Sequence, residues 1–235
     1  MIEFVAFADR GRSFTKQRQV RLSDADPGGT LRPDGVVRYL QDVATDDWSD
    51  VAIDAVDTWV VRRTALRVAQ GGRWPTLGES VALTTWCGGT GAAWAERRTD
   101  LYVEGRLMIE AVGLWVPVDP AGHPRRLRPL FYDVYGSATG GRRVGGRVRS
   151  SAVTSTAQHR PWSIRRADLD VVGHVNNAAL WCALSEVTSC APRTAAMTHL
   201  GAVEGDDEVT LAVDAGQLWL LVDGEVRVSG EFDVE

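Results

Sequence analysis

Arg165-Arg166-Ala167-Asp168-Leu169-Asp170-Val171-Val172-Gly173-His174-Val175-Asn176-Asn177 sets two carboxylates, an imidazole and two carboxamides between a strand-like run and a helix-like one. A fainter copy stands upstream: Arg21-Leu22-Ser23-Asp24-Ala25-Asp26-Pro27-Gly28-Gly29-Thr30-Leu31. The copy keeps both aspartates and the glycine, with Thr30 where the later stretch has His174. Asp24/Asp168, Asp26/Asp170 and Gly29/Gly173 are each 144 positions apart, as are Arg21/Arg165, Leu40/Leu184, Asp42/Glu186 and Val43/Val187. A constant offset through strand, turn and helix implies duplication of a whole unit.

Each unit begins with a short strand, Gln17 to Leu22 or Pro161 to Arg166, and passes through an Asp/Gly turn into a helix. In the first helix Pro33 suits an early helical position. Val36, Val37, Leu40, Val43 and Ala44 then recur at helical spacing, and Ala178, Leu180, Trp181, Leu184 and Val187 do so in the second. The second helix is expected to stop before Pro192. Strand patterns follow each helix. In the first unit they span Thr58 to Ala69, Glu79 to Cys87, Ala92 to Val103 and Arg106 to Val118. In the second they span Ala195 to Ala202, Glu208 to Ala215, Gln217 to Val222 and Val226 to Asp233. Glu104-Gly105 and Asp223-Gly224 are hairpin signals. A sheet with one face covered by a helix is an α+β arrangement.

Composition narrows the function. The apolar and charged fractions are those of a globular protein. No apolar run reaches the ~20 residues a membrane helix needs, and Glu3 and Asp9 interrupt the N-terminal run, so no signal peptide is read. Cys87, Cys182 and Cys190 are odd in number and lack metal-ligand spacing, which fits the cytoplasm and argues against disulfides or zinc. His123, His159 and His199 form no metal pattern, and neither metal nor cofactor is expected. A net charge of −5 disfavours nucleic acid as a partner. From Arg125 to Arg166, however, ten arginines face one carboxylate, Asp133. Such a stretch is either a solvated linker or a patch for an acidic or phosphorylated partner. Pro120 to Arg160 reads as a connector with a short helix around Pro129 to Tyr135.

Asp170-Val171-Val172-Gly173-His174-Val175-Asn176-Asn177 resembles the Asp-x-x-Gly-His-Val-Asn-Asn signature of the acyl-ACP thioesterases, the double-hotdog branch of the hotdog thioesterases. Asp24-Ala25-Asp26 before Leu31-Arg32-Pro33, Trp59-Val60-Val61-Arg62-Arg63 and Trp86-Cys87 support the likeness, which covers Val20 to Phe232. The resemblance implies a tandem (double) hotdog: two antiparallel sheets, each wrapped around a long central helix. It divides the chain into an N-terminal hotdog over 1–119 that shapes the acyl pocket, a connector over 120–160, and a catalytic C-terminal hotdog over 161–235. It implies hydrolysis of a fatty-acyl thioester on acyl carrier protein. Plant members carry Asn where Val172 stands and a catalytic glutamate farther on; Ala195 to His199 holds no carboxylate, and Glu204 is the nearest.

Thioester hydrolysis needs an activated water or nucleophile, a hold on the carbonyl oxygen and a thiolate leaving group. Asp170 is the candidate base or nucleophile. His174, four residues on, matches one helical turn and is the candidate to orient water or polarise the substrate. Backbone N–H groups near Gly173 and His174 are candidates for an oxyanion pocket, and Asn176 or Asn177 for a donor to the carbonyl. Trp59, with Trp86, Trp94 and Trp115, is read either as acyl-tunnel lining or as core. Against catalysis, Asp168, Asp170 and Asn177 are all good turn or cap residues. Asp26 lacks a histidine partner and reads as structural. Glu186 lies ~18 Å along a helix from His174, too far to share a substrate atom, and Cys182 reads as a buried small residue. An acyl-CoA thioesterase and a non-catalytic acyl or carrier-protein module are the alternatives, with CoA thioester as the other partner; further pairing into a homodimer stays open.

Overall fold

The computed structural model describes residues 2–51 and 58–233, so the outer limits of the domain division, 1 and 235, lie outside it. The first unit runs β1 (Ser13–Gln19), α1 (Pro33–Asp50), β2 (Thr58–Val68), β3 (Ser80–Thr90), β4 (Ala95–Val103) and β5 (Arg106–Val118). Pro33 and Asp34 open α1, where a fixed φ and a negative charge both suit a helix start. Its buried stripe is Val36, Val37, Leu40 and Val43, packed against Val81, Leu83 and Leu101 of the sheet. Opposite that stripe Asp42 and Asp46 pair with Arg18 of β1.

After α2 (Pro129–Tyr135) the second unit repeats the order: β6 (Gln158–Trp162), short helices α3 (Asn177–Leu180) and α4 (Cys182–Ser185), then β7 (Thr194–His199), β8 (Val209–Asp214), β9 (Gln217–Val222) and β10 (Glu225–Asp233). The expected long second helix is not formed. Thr58 follows Gly29 by 29 residues whereas Thr194 follows Gly173 by 21, so the second unit has eight fewer residues for its helix, about 12 Å of α-helix. What remains tightens around the fully buried Trp181, where Trp181 N–H donates to Ala178 O and Leu184 N–H to Trp181 O, both i to i−3 bonds.

The two expected sheets are one. Among the described residues ten strands run in the order β1-β3-β4-β5-β2-β7-β10-β9-β8-β6, every adjacent pair antiparallel. Read inward from either edge, each half has the same connectivity. The halves join along β2 and β7, with Ala65 opposite Ala196 and Leu66 opposite Ala195. All four residues are buried. A strand apolar on both faces makes a poor edge, so each unit's last-placed strand is covered by the other's.

Helices lie on one face of the sheet. On the other, an N-terminal strap sets Ile2 and Phe4 on Ala65, Val112 and Ala196, and Arg98 Nε donates to Val5 O. Arg98 is itself buried, with Asp100 at 3.0 Å and Glu110 at 3.5 Å as counter-charges. The arginine-rich connector is laid on the protein, not looped into solvent. Trp94 Nε1 donates to Val144 O, Trp219 Nε1 donates to Ser151 O, and Val153 and Ala157 pack on Ala212, Trp219 and Leu221. Among the described residues no helix is long and apolar enough to cross a membrane.

Candidate active site

The duplicated turns match bond for bond. In the second unit Asp170 N–H donates to His174 O at 2.9 Å, Gly173 N–H to Asp170 O at 3.1 Å, and Asn176 N–H to Asp168 O at 2.8 Å. In the first, Asp26 N–H donates to Thr30 O at 2.8 Å, Gly29 N–H to Asp26 O at 2.9 Å, and Arg32 N–H to Asp24 O at 2.9 Å. Both turns need a left-handed residue at the same place, Gly29 at φ 82° and Gly173 at φ 91°. A Cβ on Gly173 would meet nothing within 4 Å. Gly173→Ala is therefore expected to cost only the backbone strain, about 1–2 kcal/mol, read as a lower urea midpoint without loss of cooperativity.

Asp170 and His174 do not sit on a helical turn, as their spacing suggested, because α3 starts only at Asn177. They face each other across a tight hairpin whose next pair outward is Leu169 with Val175. Opposed residues of a hairpin share a face, their Cβ atoms roughly 5 Å apart. His174 is in turn bridged to Glu204, with His174 Nε2 at 3.4 Å from Glu204 Oε1. Asp170, His174 and Glu204 thus form a row across three short extended segments. The matching row of the first unit is Asp26, Thr30 and Thr76. Glu204 is the residue that sequence reasoning identified only as the nearest carboxylate; thirty positions separate it from His174, and no local pattern pairs them.

The two aspartates of the row are held differently. Asp26 Oδ1 accepts from the N–H of Thr30 at 2.9 Å, so its carboxylate closes its own turn. Asp170 Oδ1 accepts instead from Val172 N–H at 2.9 Å. Val172, at the family's Asn position, is 65% exposed. Gly173 N–H is taken by Asp170 O, so of the two N–H groups expected to form an oxyanion pocket one is already used.

The other candidates divide. Asn176 caps α3, its Oδ1 accepting from Ala178 N–H at 2.8 Å, and Asn177 is the first helical residue. Asp168 is buried and structural, accepting from Arg165 through the backbone N–H and the guanidinium. Trp59 lies apart from the Asp170 row, in an aromatic cluster with Trp48 and Phe131 that α2 completes. Trp86 packs on Phe7. Trp115 lines a cavity of about 20 Å³ beneath α1 with Val37, Leu40, Val61 and Thr64. Burial pushes the Cys182 thiol up to about 11, so it is no ready nucleophile. Glu186 ends α4, its carbonyl accepting from Arg160 Nη2. Among the described residues no group of three or more His, Cys, Asp or Glu is placed to hold a metal ion.

His199 ends β7, the strand that holds no carboxylate to stand for the plant-type glutamate. It is fully buried, and neither ring nitrogen has a hydrogen-bond partner among the described residues. Burial, reinforced by the charge of Arg62, pulls its pKa down to about 4. The folded state therefore binds fewer protons than the unfolded one between about 4 and 6.5, and stability falls as pH drops through that window. The loss is on the order of 3 kcal/mol. Asp100, raised by burial to about 6, acts with the opposite sign between about 4 and 6. The His199 part is isolated by difference: His199→Gln is expected to be less sensitive than wild type to acidification from pH 6.5 to 4, followed by urea midpoint. Equal sensitivity would mean that His199 titrates normally.

A continuous antiparallel sheet of two like halves with helices on one face is a hotdog-type fold, and the Asp170/His174 turn lies just before α3. The profile of the acyl-ACP thioesterase N-terminal domain matches residues 11–135, and the chain belongs to the acyl-ACP thioesterase family. A protein of Mycobacterium tuberculosis described as uncharacterized is 26% identical over 230 residues, covering 93% of this chain and 91% of that one. The 12:0-ACP thioesterase of Umbellularia californica superposes with a TM-score of 0.78 at 19% identity, covering 97% of this chain and 98% of that one. A structure assigned as an oleoyl thioesterase of Lactobacillus plantarum gives 0.82 at 16% identity, over 97% of each chain. An acyl-ACP thioesterase of Bacteroides thetaiotaomicron gives 0.75 at 16% identity, over 95% of this chain and 98% of that one. At these identities the superpositions speak for the fold; the profile match carries the family.

Proposed function

We propose that this thioesterase hydrolyses fatty-acyl chains from acyl carrier protein through Asp170, His174 and Glu204, with the first unit shaping the acyl pocket. The observation that carries the reading is the asymmetry of the two rows. Duplicated turns with matching backbone bonds hold Asp, His and Glu in one unit but Asp, Thr and Thr in the other. A purely structural turn has no need of the charged set. Asp170 takes a proton from water, and the water oxygen adds to the thioester carbonyl carbon. With its Nε2 held by Glu204, His174 in its doubly protonated form donates from Nδ1 to the carbonyl oxygen as that oxygen gains negative charge. The intermediate collapses with cleavage of the C–S bond, the proton held by Asp170 passes to the departing sulfur, and the carrier leaves as a thiol while Asp170 returns to its carboxylate form. Asn176 caps the helix behind this turn and Gly173 lets it close; both act by positioning.

The cavity beneath α1 supports the acyl-pocket role of residues 1–119, since its lining comes from α1, β2, β4 and β5. At about 20 Å³ it admits one water-sized body, so a fatty chain enters only as the lining yields. The free cysteines support a reducing compartment, the cytoplasm. Thiol release from acyl-ACP and from acyl-CoA with the same acyl chain tests the carrier. The expected result is kcat/KM about tenfold or more higher on the protein carrier, the substrate that the family profile implies. A preference for CoA would reassign the carrier, and acyl-ACP binding without turnover would make the protein a binding module.

A further inference from the structure

On the sheet face away from the helices, a cleft of about 340 Å³ lies between the connector and β2. Its apolar floor is formed by the part-exposed Ile2, Leu114, Val144 and Val148, with Ala65 and Val112 buried behind Ile2, and its walls carry four arginines and two glutamates, a net charge of +2. The glutamates are already engaged: Arg142 holds Glu96 at 2.5 Å and Glu3 at 2.9 Å. The other three arginines are poorly compensated. Arg63 reaches only the exposed Glu231, at 3.8 Å, and its buried Nε has no hydrogen-bond partner. Arg143 touches Thr90 Oγ1 at 3.5 Å. Arg147 makes no hydrogen bond or ion pair among the described residues. Cations gathered around one concavity repel, and burying the Arg63 guanidinium without a close anion is costly, while Arg143 and Arg147 stand exposed at the rim. The arginine run thus forms a shaped recess, and no member of the Asp170 row lines it.

We propose that this cleft binds a phosphate-bearing small molecule of about nucleoside-diphosphate size. Its phosphates would lie between Arg63, Arg143 and Arg147, and its flatter body on the apolar floor. Guanidinium groups match phosphate oxygens in charge and in paired geometry. The volume lies in the range of small-molecule sites.

Calorimetric titration of the whole protein with ADP, inorganic pyrophosphate and adenosine, at physiological ionic strength, tests this without any turnover. ADP is expected to bind about tenfold more tightly than pyrophosphate, with adenosine silent, because charge and floor both contribute. Arg63→Gln and Arg147→Gln are each expected to weaken ADP by about tenfold or more, the loss of one charged hydrogen bond. Arg147 lies on the connector and outside the sheet, so its variant keeps the fold even if Arg63→Gln does not; circular dichroism checks both. Absence of ADP binding, adenosine binding as well as ADP, or unchanged affinity in Arg147→Gln would each overturn the proposal. None of these outcomes touches the thioesterase assignment, which thiol release tests separately.

Discussion

Asp170→Ala is expected to lower kcat for thiol release from acyl-ACP by about 10²–10⁴-fold, the usual contribution of a positioned general base. The effect should fall on kcat with little change in KM, because in the mechanism we propose Asp170 acts on the attacking water and adds no contact along the acyl chain. Stability should hardly move. The side chain's hydrogen bond is to Val172 N–H in an exposed turn, and the turn keeps its three backbone bonds. The duplication supplies the control. Asp26 occupies the same place in the first unit and accepts from Thr30 N–H. Asp26→Ala should therefore cost about 1 kcal/mol of stability and leave turnover within about threefold. If the two variants lost activity equally, the row's asymmetry would have no catalytic meaning. Undiminished turnover in Asp170→Ala would remove the base from the mechanism altogether.

The sequence made some of this architecture legible for a plain reason. Strand and helix periods are local, so β5 from Arg106 to Val118, β9 from Gln217 to Val222 and α2 from Pro129 to Tyr135 fall where their patterns put them. The shared offset revealed the paired turns because the same backbone bonds require the same Asp and Gly. What periodicity cannot carry is partner choice across the chain. The β2–β7 seam that fuses two expected sheets into one joins residues about 130 positions apart, and alternation on each strand is compatible with either arrangement. The second helix is shorter than its pattern because apolar spacing continues to Val187 while the chain must already turn toward Thr194. At the site, Asp170 and His174 were legible as a motif, but their geometry was not, since a spacing of four fits a hairpin as well as a helix. Glu204 came into view only when its loop folded back beside His174.

The largest effect on stability is expected at Asp47, which no motif marks. It is buried near the end of α1 and binds two arginines at once: Arg12 of the N-terminal segment at 2.7 Å and Arg97 of β4 at 2.8 Å. One carboxylate thereby ties strap, helix and sheet together. Arg12 keeps a second partner in the exposed Asp50. Arg97 has none of comparable strength: it reaches Thr85 Oγ1 at 3.3 Å and lies over the Tyr135 ring at 5.7 Å. Asp47→Ala leaves this guanidinium largely buried and uncompensated, and such losses cost about 3–5 kcal/mol. A large drop in the urea midpoint with unchanged slope is the expected result. A loss under about 1 kcal/mol would mean that water or Asp50 replaces the carboxylate. Asp47→Asn should fall between, since it keeps the shape and one acceptor but not the charge. The consequence reaches the substrate as well. Arg97 also lines the small cavity beneath α1, so freeing it places an unpaired cation where we propose the acyl chain lies. Of the variants that stay folded, Asp47→Asn should thus raise KM for long saturated acyl-ACP more than for short, a dependence on chain length that lost stability alone would not produce.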